Sequence, residues 1–201
     1  MNEVNTDDYI DIIESKLDTI NDDELKYLII KLINERNFLT ETLDIDPLTG
    51  VYNRRVLDRV RDFTTVAMCD VDYFKNVNDS FGHQKGDSIL QQISQILVRH
   101  SRVNDFVCRY GGDEFLIVFC GANEMVVKNR MEAVLREINT INLSDEYTAS
   151  ASIGIASKID EENLSDIIKK ADEALYESKN SGRNAVRCYS ELQLENNEKA
   201  I

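Results

Sequence analysis

The chain has 201 residues, 42% of them hydrophobic, which is enough for one domain of ordinary size with a modest extension. Its formal net charge of −14, from 23 basic and 37 acidic residues, argues against a surface that binds duplex nucleic acid. A nucleotide substrate remains compatible, because a metal ion and a few basic side chains can neutralise phosphates locally. No apolar run approaches the length of a membrane span and the N-terminus is acidic, so we expect a cytoplasmic protein.

Residues 1–45 form a predicted helical extension. Apolar residues at helical spacing predict one helix up to Ile20, and Asn21-Asp22-Asp23 marks a break and a new helix start. The second helix is predicted over about 23–44 and carries a heptad seam with one polar interruption. We expect this pair of helices to join two copies in a homodimer; the alternative is that it packs on the rest of its own chain. The seam residues are Leu25, Ile29, Leu32, Arg36, Leu39 and Leu43.

Pro47, the only proline, marks the boundary to a second domain over residues 46–189. Strands and helices alternate there around one central hairpin, which predicts an α/β fold with helices around a mixed sheet. The polar tail, residues 190–201, is expected to be frayed. Helices are predicted near 53–63, 84–100, 123–139 and 164–180, and strands near 65–70, 106–109, 114–120, 147–155 and 185–189.

The central hairpin carries the strongest chemical signal in the sequence. Gly111 and Gly112, which can both take positive φ, are followed by Asp113 and Glu114 at the start of an apolar strand. Adjacent carboxylates at such a turn suit a hard divalent cation. An exposed acidic hairpin without a ligand is the alternative interpretation.

A second acidic group ends the predicted strand 65–70. Strand alternation places Asp70 and Asp72 on the same face of the sheet. A carboxylate at the end of an apolar strand is unfavourable unless it is paired or metal-bound. Asp72 could instead cap a helix N-terminus. Lys75 follows closely, and carboxylates that can hold a metal beside a lysine are suited to phosphoryl transfer.

Six blocks of sequence between Asp46 and Tyr189 resemble, in order, the GGDEF domain, which is the catalytic domain of bacterial diguanylate cyclases. Val51 stands where leucine is expected, which is a conservative difference. The resemblance implies an α+β fold with a palm-like, ferredoxin-like mixed sheet, similar to nucleotidyl cyclases and polymerase palms. The blocks are DPLTGVYNRR from Asp46, DVDYFK from Asp70, NDSFGHQKGD from Asn78, RYGGDEF from Arg109, ASIGIA from Ala151 and ADEALYESKNSGRN from Ala171.

The resemblance also implies an activity: two GTP molecules are joined into cyclic di-GMP across a dimer, and two pyrophosphates are released. Two magnesium ions per active site are expected on Asp70, Asp113 and the carbonyl of Val71. Asp113 is in addition the expected general base, and Glu114 a further contact to metal or triphosphate. Lys75 matches the family's transition-state lysine.

Six positions match the family's substrate-binding residues. Asp87 can accept hydrogen bonds from guanine N1–H and the 2-amino group, which favours GTP over ATP. Lys179 and Arg183 match a phosphate clamp, although alone they would be interpreted as the basic end of a solvated helix. The implied substrate-binding residues are Phe74, Asn78, His83, Asp87, Lys179 and Arg183.

Arg102-Val103-Asn104-Asp105 matches the family's RxxD motif, where the product binds and slows the enzyme. Arginine suits both guanine Hoogsteen edges and phosphates. The resemblance implies an inhibitory product site made of Arg102, Asp105 and Arg109.

Two other functions remain open from the sequence. One is a catalytically degenerate GGDEF module that only senses cyclic di-GMP, and the other is a cyclase that makes mixed cyclic GMP-AMP. Degenerate members usually lose acidic signature residues, whereas Asp70, Asp113, Glu114 and Lys75 are all present.

Overall fold

The computed structural model describes the backbone of residues 6–199 and the side chains of residues 10–36 and 43–195. The chain forms two compact units, Met1–Asp44 and Ile45–Ile201. The first consists of helix α1 (Thr6–Lys16), a 3₁₀ turn (Leu17–Thr19) and helix α2 (Asp23–Leu43).

The predicted start of the second helix is confirmed. The Asp22 carboxylate accepts a hydrogen bond of 3.0 Å from the Leu25 amide, which satisfies one of the free N–H groups at the start of α2. Leu25 and Leu32 of the predicted seam are exposed, with 48% and 65% of their surface accessible. The side chain of Leu39 lies outside the described residues.

The second unit contains a six-stranded sheet in the order β1-β3-β4-β2-β5-β6. The outer pairs β1–β3 and β5–β6 are parallel, and the inner pairs are antiparallel, so the sheet is mixed, as expected. The strands are β1 (Tyr52–Asn53), β2 (Thr65–Val71), β3 (Phe106–Arg109), β4 (Glu114–Phe119), β5 (Ala151–Ser157) and β6 (Val186–Cys188). The helices are α3 (Phe74–Phe81), α4 (His83–Arg99), α5 (Glu124–Ile138), α6 (Leu164–Asn180) and α7 (Tyr189–Lys199).

Three local predictions are wrong, and one helix was missed. The helix near 53–63 is a short 3₁₀ helix, Arg54–Arg59, and α3 was not predicted at all. The strand near 147–155 begins only at Ala151, because the chain before it pairs with residue 141 instead. The tail forms helix α7 over residues 190–199 instead of an irregular segment, and Glu191 in its first turn pairs with Lys128.

Alternate residues of the central strands pack against helices on opposite faces of the sheet. One face packs against α4 and α5 through residues such as Ala67 and Phe115. The other packs against α6 through residues such as Met68 and Leu116. This alternation decides which helix each site residue can face.

Helix α6 approaches the sheet closely at Gly154 of β5. A Cβ at this position would overlap the carbonyl oxygen of Ala171 and the amide of Leu175. Glycine therefore allows the backbone of α6 to lie directly on β5. The same helix carries Lys179, so this contact sets how far the lysine stands from the strand ends. Within residues 6–199, no helix has both the length and the hydropathy needed to cross a bilayer.

Candidate active site

Asp70 and Glu114 stand directly opposite each other on neighbouring antiparallel strands. Met68 and Leu116, which precede and follow them by two residues, pack on the α6 side, so both carboxylates face α6. Like charges in directly opposite positions repel each other. The register of the sheet therefore concentrates negative charge at this point.

Asp113 joins the same cluster from the hairpin loop. Its carbonyl oxygen accepts a hydrogen bond of 3.2 Å from the Val71 amide, which holds the loop against the end of β2. Neither Gly111 nor Gly112 uses the positive φ that glycine allows. The loop spans four residues, 110–113, between β3 and β4, so it does not need the two-residue turn that requires such angles.

Two acids of the cluster, Asp70 and Glu114, have raised pKa values. Burial, followed by the charges of Asp113 and Asp72, raises the pKa of Asp70, although Lys179 opposes the shift. Burial, followed by the charges of Asp70 and Asp113, likewise raises the pKa of Glu114. Lys179 Nζ lies 2.8 Å from Asp70 Oδ2 and is the cation that partly compensates the cluster.

This donor set fits a divalent cation that is completed by a substrate. Across the described residues, no three Asp, Glu, His or Cys side chains are arranged to hold a metal ion by themselves. Magnesium is commonly bound by one or two carboxylates together with substrate phosphates, so a complete protein cage is not required. Carboxylates that repel one another gain from a shared cation, and Asp70 and Asp113 interact in this way.

Arg109 acts within the hairpin rather than on an open surface. Its guanidinium donates to the carbonyl oxygen of Gly112 and to the carboxylate of Asp46, and only 19% of its side chain is exposed. The sequence assigned Arg109 to the product site; in the structure its described contacts are those of a residue that supports the loop. The sequence places Asp46 at the domain boundary and at the start of the first matched block, without a role in the site.

Asp72 shares the α6 face with Asp70, as predicted. It does not cap α3, because the N-cap residue of this helix is Tyr73, whose side chain makes no capping hydrogen bond. Its carboxylate instead accepts hydrogen bonds from Ser150, Ser152 and the amide of Asn184. These three partners were missed from sequence. The signal that could have revealed the serines is their spacing of two residues at the start of an apolar strand.

The basic residues of the predicted site lie on two helices. Lys75 is exposed in the first turn of α3, and Lys179 and Arg183 lie at and just after the end of α6. Arg183 stacks on Tyr73, with Cζ 4.6 Å from the ring centroid. Through Tyr73, the segment just before Lys75 therefore contacts the turn that carries Arg183.

The predicted base-reading residues lie where α3 meets α4. Among the described buried side-chain N and O atoms, only Asn78 Oδ1 has no hydrogen-bond partner. It points at Gly86, where a Cβ would overlap it and would also contact Phe74. His83 is the first residue of α4 and Asp87 lies one turn further along the same helix; both are exposed. The buried Asn78 Oδ1, which has no hydrogen-bond partner, lies near the exposed side chains of His83 and Asp87. This is a suitable place for a ligand that donates hydrogen bonds.

The two ends of the RxxD motif differ sharply. Arg102 is exposed, whereas the Asp105 carboxylate is 1% exposed and pairs with Arg130 at 3.3 Å. Asp105 also accepts from the backbone amides of Arg102 and Cys120. Its described contacts are thus structural, and of the two ends of the motif it is Arg102 whose side chain lies in solvent.

Comparison with known proteins matches residues 43–185 to the family model described as "Diguanylate cyclase, GGDEF domain". Diguanylate cyclase A of Treponema denticola is 35% identical over 130 residues, which cover 63% of this chain and 35% of the relative. Diguanylate cyclase VdcA of Vibrio cholerae is 34% identical over 154 residues, which cover 70% of this chain and 45% of the relative. The chain therefore spans less than half the length of these two curated relatives.

Among solved structures, the chain resembles the coiled coil and GGDEF domain of DgcB from Caulobacter crescentus in complex with c-di-GMP. The TM-score is 0.70 at 25% sequence identity, and the match covers 88% of this chain and 98% of the other. The sheet and its flanking helices therefore have the palm-like arrangement of such domains.

Proposed function

The chain belongs to the GGDEF family, and from that premise we propose that it is a diguanylate cyclase that converts two GTP molecules into cyclic di-GMP and two pyrophosphates. The observation that carries the proposal is the cluster of Asp70, Asp113 and Glu114 at two adjoining strand ends, with Lys179 bound to Asp70. An acidic cluster of this kind beside basic residues suits the handling of a metal-bound triphosphate.

In the proposed reaction, the 3′-hydroxyl of each GTP attacks the α-phosphorus of the other. A new P–O bond forms, the bond to the bridging α–β oxygen breaks, and pyrophosphate leaves. Two such steps close the ring, with one nucleotide held by each of two subunits. Asp113 accepts the proton of the attacking hydroxyl, and its position on the hairpin loop leaves it beside the Asp70 strand end.

Asp70, Asp113 and the carbonyl of Val71 would hold magnesium, with two ions expected per site, and Glu114 would add a contact to metal or triphosphate. When bound, magnesium lowers the pKa of the attacking hydroxyl and offsets the charge of the phosphates. The mutual repulsion that raises the pKa of Asp70 and Glu114, after the larger effect of burial, supports this assignment.

The phosphates would be contacted by Lys75 from α3 and by Lys179 and Arg183 from the end of α6. Lys179 is bound to Asp70 in the structure, at 2.8 Å. A cation on Asp70 would release Lys179 to the triphosphate, since one carboxylate oxygen cannot serve both equally well. Lys179 would then neutralise the charge of Asp70 in the free site and the charge of the triphosphate in the loaded site.

Guanine would be read between α3 and α4 by Asn78 and Asp87, with Phe74 and His83 beside the base. The unpaired Oδ1 of Asn78 supports a hydrogen-bonding role for this residue. The product would also bind as an inhibitor at the RxxD motif, through the exposed Arg102. The buried Asp105 supports that site by hydrogen-bonding the Arg102 amide at 2.8 Å.

The decisive experiment is incubation of the purified chain with GTP, ATP and magnesium, followed by mass analysis of the products. Cyclic di-GMP, absent from the matched Asp113→Asn protein, is the expected result. A mixed cyclic GMP-AMP product would mean that the enzyme joins one GTP to one ATP. Tight binding of cyclic di-GMP by a chain that makes no dinucleotide would identify a sensor instead of a cyclase.

A further inference from the structure

We propose that Asp72 is a positioning residue whose buried carboxylate holds the phosphate-contacting segments of the site in their relative places. The inference rests on the function proposed above, because those segments carry Lys75, Lys179 and Arg183. Asp72 itself is assigned no contact with metal or nucleotide.

Asp72 is 5% exposed, and its carboxylate accepts three hydrogen bonds. Oδ1 accepts from the Ser152 hydroxyl at 2.7 Å, and Oδ2 accepts from the Ser150 hydroxyl at 2.8 Å and from the Asn184 amide at 3.0 Å. Its own amide donates to the Ser150 carbonyl at 2.9 Å. A buried carboxylate with this many donors is held firmly, because each lost bond would leave a charged group unsatisfied.

These bonds join three segments that are far apart in sequence. Asp72 follows β2 and leads into α3, Ser152 lies in β5 with Ser150 just before it, and Asn184 lies in the turn after α6. The first segment leads to Lys75, and the third contains Arg183. One side chain therefore fixes the end of β2 and the turn after α6 to the same strand.

The backbone at this junction is strained. Of the four non-glycine residues with positive φ in the described part of the chain, three are Tyr73 at +55°, Arg183 at +64° and Asn184 at +48°. Left-handed angles are unfavourable for tyrosine and arginine, though less so for asparagine, and at Tyr73 and Arg183 they persist only where surrounding contacts impose them. Here the contacts are the Asp72 bond to Asn184 and the stacking of Arg183 on Tyr73. Strain of this kind clusters at functional sites.

A purely structural role and a positioning role predict different results. If Asp72 only stabilised the fold, its loss would lower stability and leave the KM for GTP unchanged in the folded fraction. If it positions the phosphate-contacting segments, its loss raises KM. Asparagine can replace aspartate in these bonds, because its oxygen can accept from Ser150 and Asn184 while its amide donates to the Ser152 hydroxyl.

The test compares Asp72→Ala with Asp72→Asn, and uses Thr65→Val as a matched control. Thr65 is buried at the opposite end of β2, where its hydroxyl bonds the Ala122 carbonyl at 2.7 Å and Ser157 at 2.9 Å. The readouts are the hydrogen-exchange rate of the Asn184 amide by NMR and the separate values of KM and kcat for GTP. A third readout is the affinity for 3′-deoxy-GTP, measured by calorimetry.

Asp72→Ala should speed exchange at Asn184 and raise KM by about tenfold each, roughly the effect of one lost charge-assisted hydrogen bond. Its kcat should fall less than KM rises. Asp72→Asn should stay close to the parent in all readouts, and Thr65→Val should lose stability without a change in KM. An Asp72→Ala protein with parental exchange and KM, or a Thr65→Val protein with an equal rise in KM, overturns the proposal.

Two further variants decide the matter if Asp72→Ala does not fold. Ser150→Ala and Ser152→Ala each remove one hydroxyl that donates to the Asp72 carboxylate. At least one of them should show faster exchange of the Asn184 amide and weaker nucleotide binding. Parental values in both variants overturn the proposal. If the parent chain makes no cyclic di-GMP, the proposed function fails. The exchange rate and the 3′-deoxy-GTP affinity then still decide whether Asp72 holds these segments.

Discussion

The guanidinium of Arg109 holds the carbonyl oxygen of Gly112 with two hydrogen bonds, 3.1 Å from Nε and 2.7 Å from Nη2. Its Nη1 lies 3.2 Å from the carboxylate of Asp46. Asp46 is fixed in turn by the amide and hydroxyl of Thr49, at 2.9 and 2.6 Å. Because Gly112 directly precedes Asp113, one side chain connects the start of the domain to the loop that carries a proposed metal ligand.

We expect Arg109→Lys to lower kcat by about tenfold, because a lysine cannot reproduce the forked contact and a small displacement of Asp113 slows the reaction. Steady-state kinetics with GTP would measure the effect. Arg99→Lys is the matched control, since Arg99 is an exposed arginine that pairs with Glu137. An unchanged kcat together with lost inhibition by cyclic di-GMP would return Arg109 to the product site, as the sequence suggested.

Asp70→Asn and Asp113→Ala should each nearly abolish turnover at saturating magnesium while the fold is retained, because each removes a proposed metal ligand.

Asp70→Asn should also stabilise the protein at pH 7. The pKa of Asp70 is raised above its unfolded value of 3.8, chiefly by burial, so ionisation disfavours the folded state as the pH rises through that range. Below pH 3.8 the advantage of the variant should disappear.

Asp46→Asn is the control variant, because we expect it to change the stability of the protein at pH 7 in the opposite direction to Asp70→Asn. Burial alone would raise the pKa of Asp46, but the Thr49 hydrogen bonds and Arg109 outweigh it and lower the pKa. The ionised form therefore stabilises the fold above its unfolded pKa, and this contribution is lost as the pH falls. Urea titrations at several pH values would measure both variants. If both shift stability in the same direction at pH 7, the electrostatic description of the cluster is wrong.

Strand alternation was sufficient to predict the shared face of Asp70 and Asp72, because the side-chain period of a strand is fixed. It could not give the direct opposition of Asp70 and Glu114, which depends on the register between two strands. Nor could it give the left-handed angle at Tyr73, which non-local contacts impose. Sequence spacing also could not show that the Arg109 side chain contacts Gly112 and Asp46, because it does not show where a long side chain points.

Asp87→Ser should relax the choice of base more than it weakens phosphate binding. The exposed carboxylate of Asp87 near the start of α4 matches the residue that accepts from the guanine N1–H and 2-amino groups, which adenine lacks. The measurement is the ratio of mixed to guanine-only dinucleotide with both nucleotides present. Ser88→Ala, on the next residue of the same helix, is the control. Retained activity with an unchanged product ratio would remove Asp87 from base recognition.

Arg102→Ala should make turnover insensitive to added cyclic di-GMP and leave stability unchanged, because the Arg102 side chain is exposed. Asp105→Ala should behave differently. It leaves Arg130 unpaired and two backbone amides without their acceptor, so stability should fall by about 3 kcal/mol. Calorimetry with the dinucleotide and urea unfolding would separate the two effects. Parental affinity in Arg102→Ala would place the product site elsewhere.

The N-terminal helices should raise activity by pairing two subunits. The proposed reaction needs two nucleotide-loaded domains to meet, and a tether raises their effective concentration to about the millimolar range. Deleting residues 1–44 leaves the Ile45–Tyr52 bridge in place and removes the first compact unit. We expect this deletion to lower the rate per molecule at submicromolar enzyme, and to leave it nearly restored at high enzyme concentration.

Substitutions in the exposed seam should reproduce the deletion. Leu25→Glu with Leu32→Glu places charge on two seam positions that are 48% and 65% exposed, so it should prevent pairing without harming the fold of one chain. Tyr27→Glu is the control, because Tyr27 is 65% exposed but lies outside the seam. Light scattering would report the mass of each protein. Full activity per molecule at low concentration in the truncated chain would mean that the helices do not act by dimerisation, and that the two domains meet without their help.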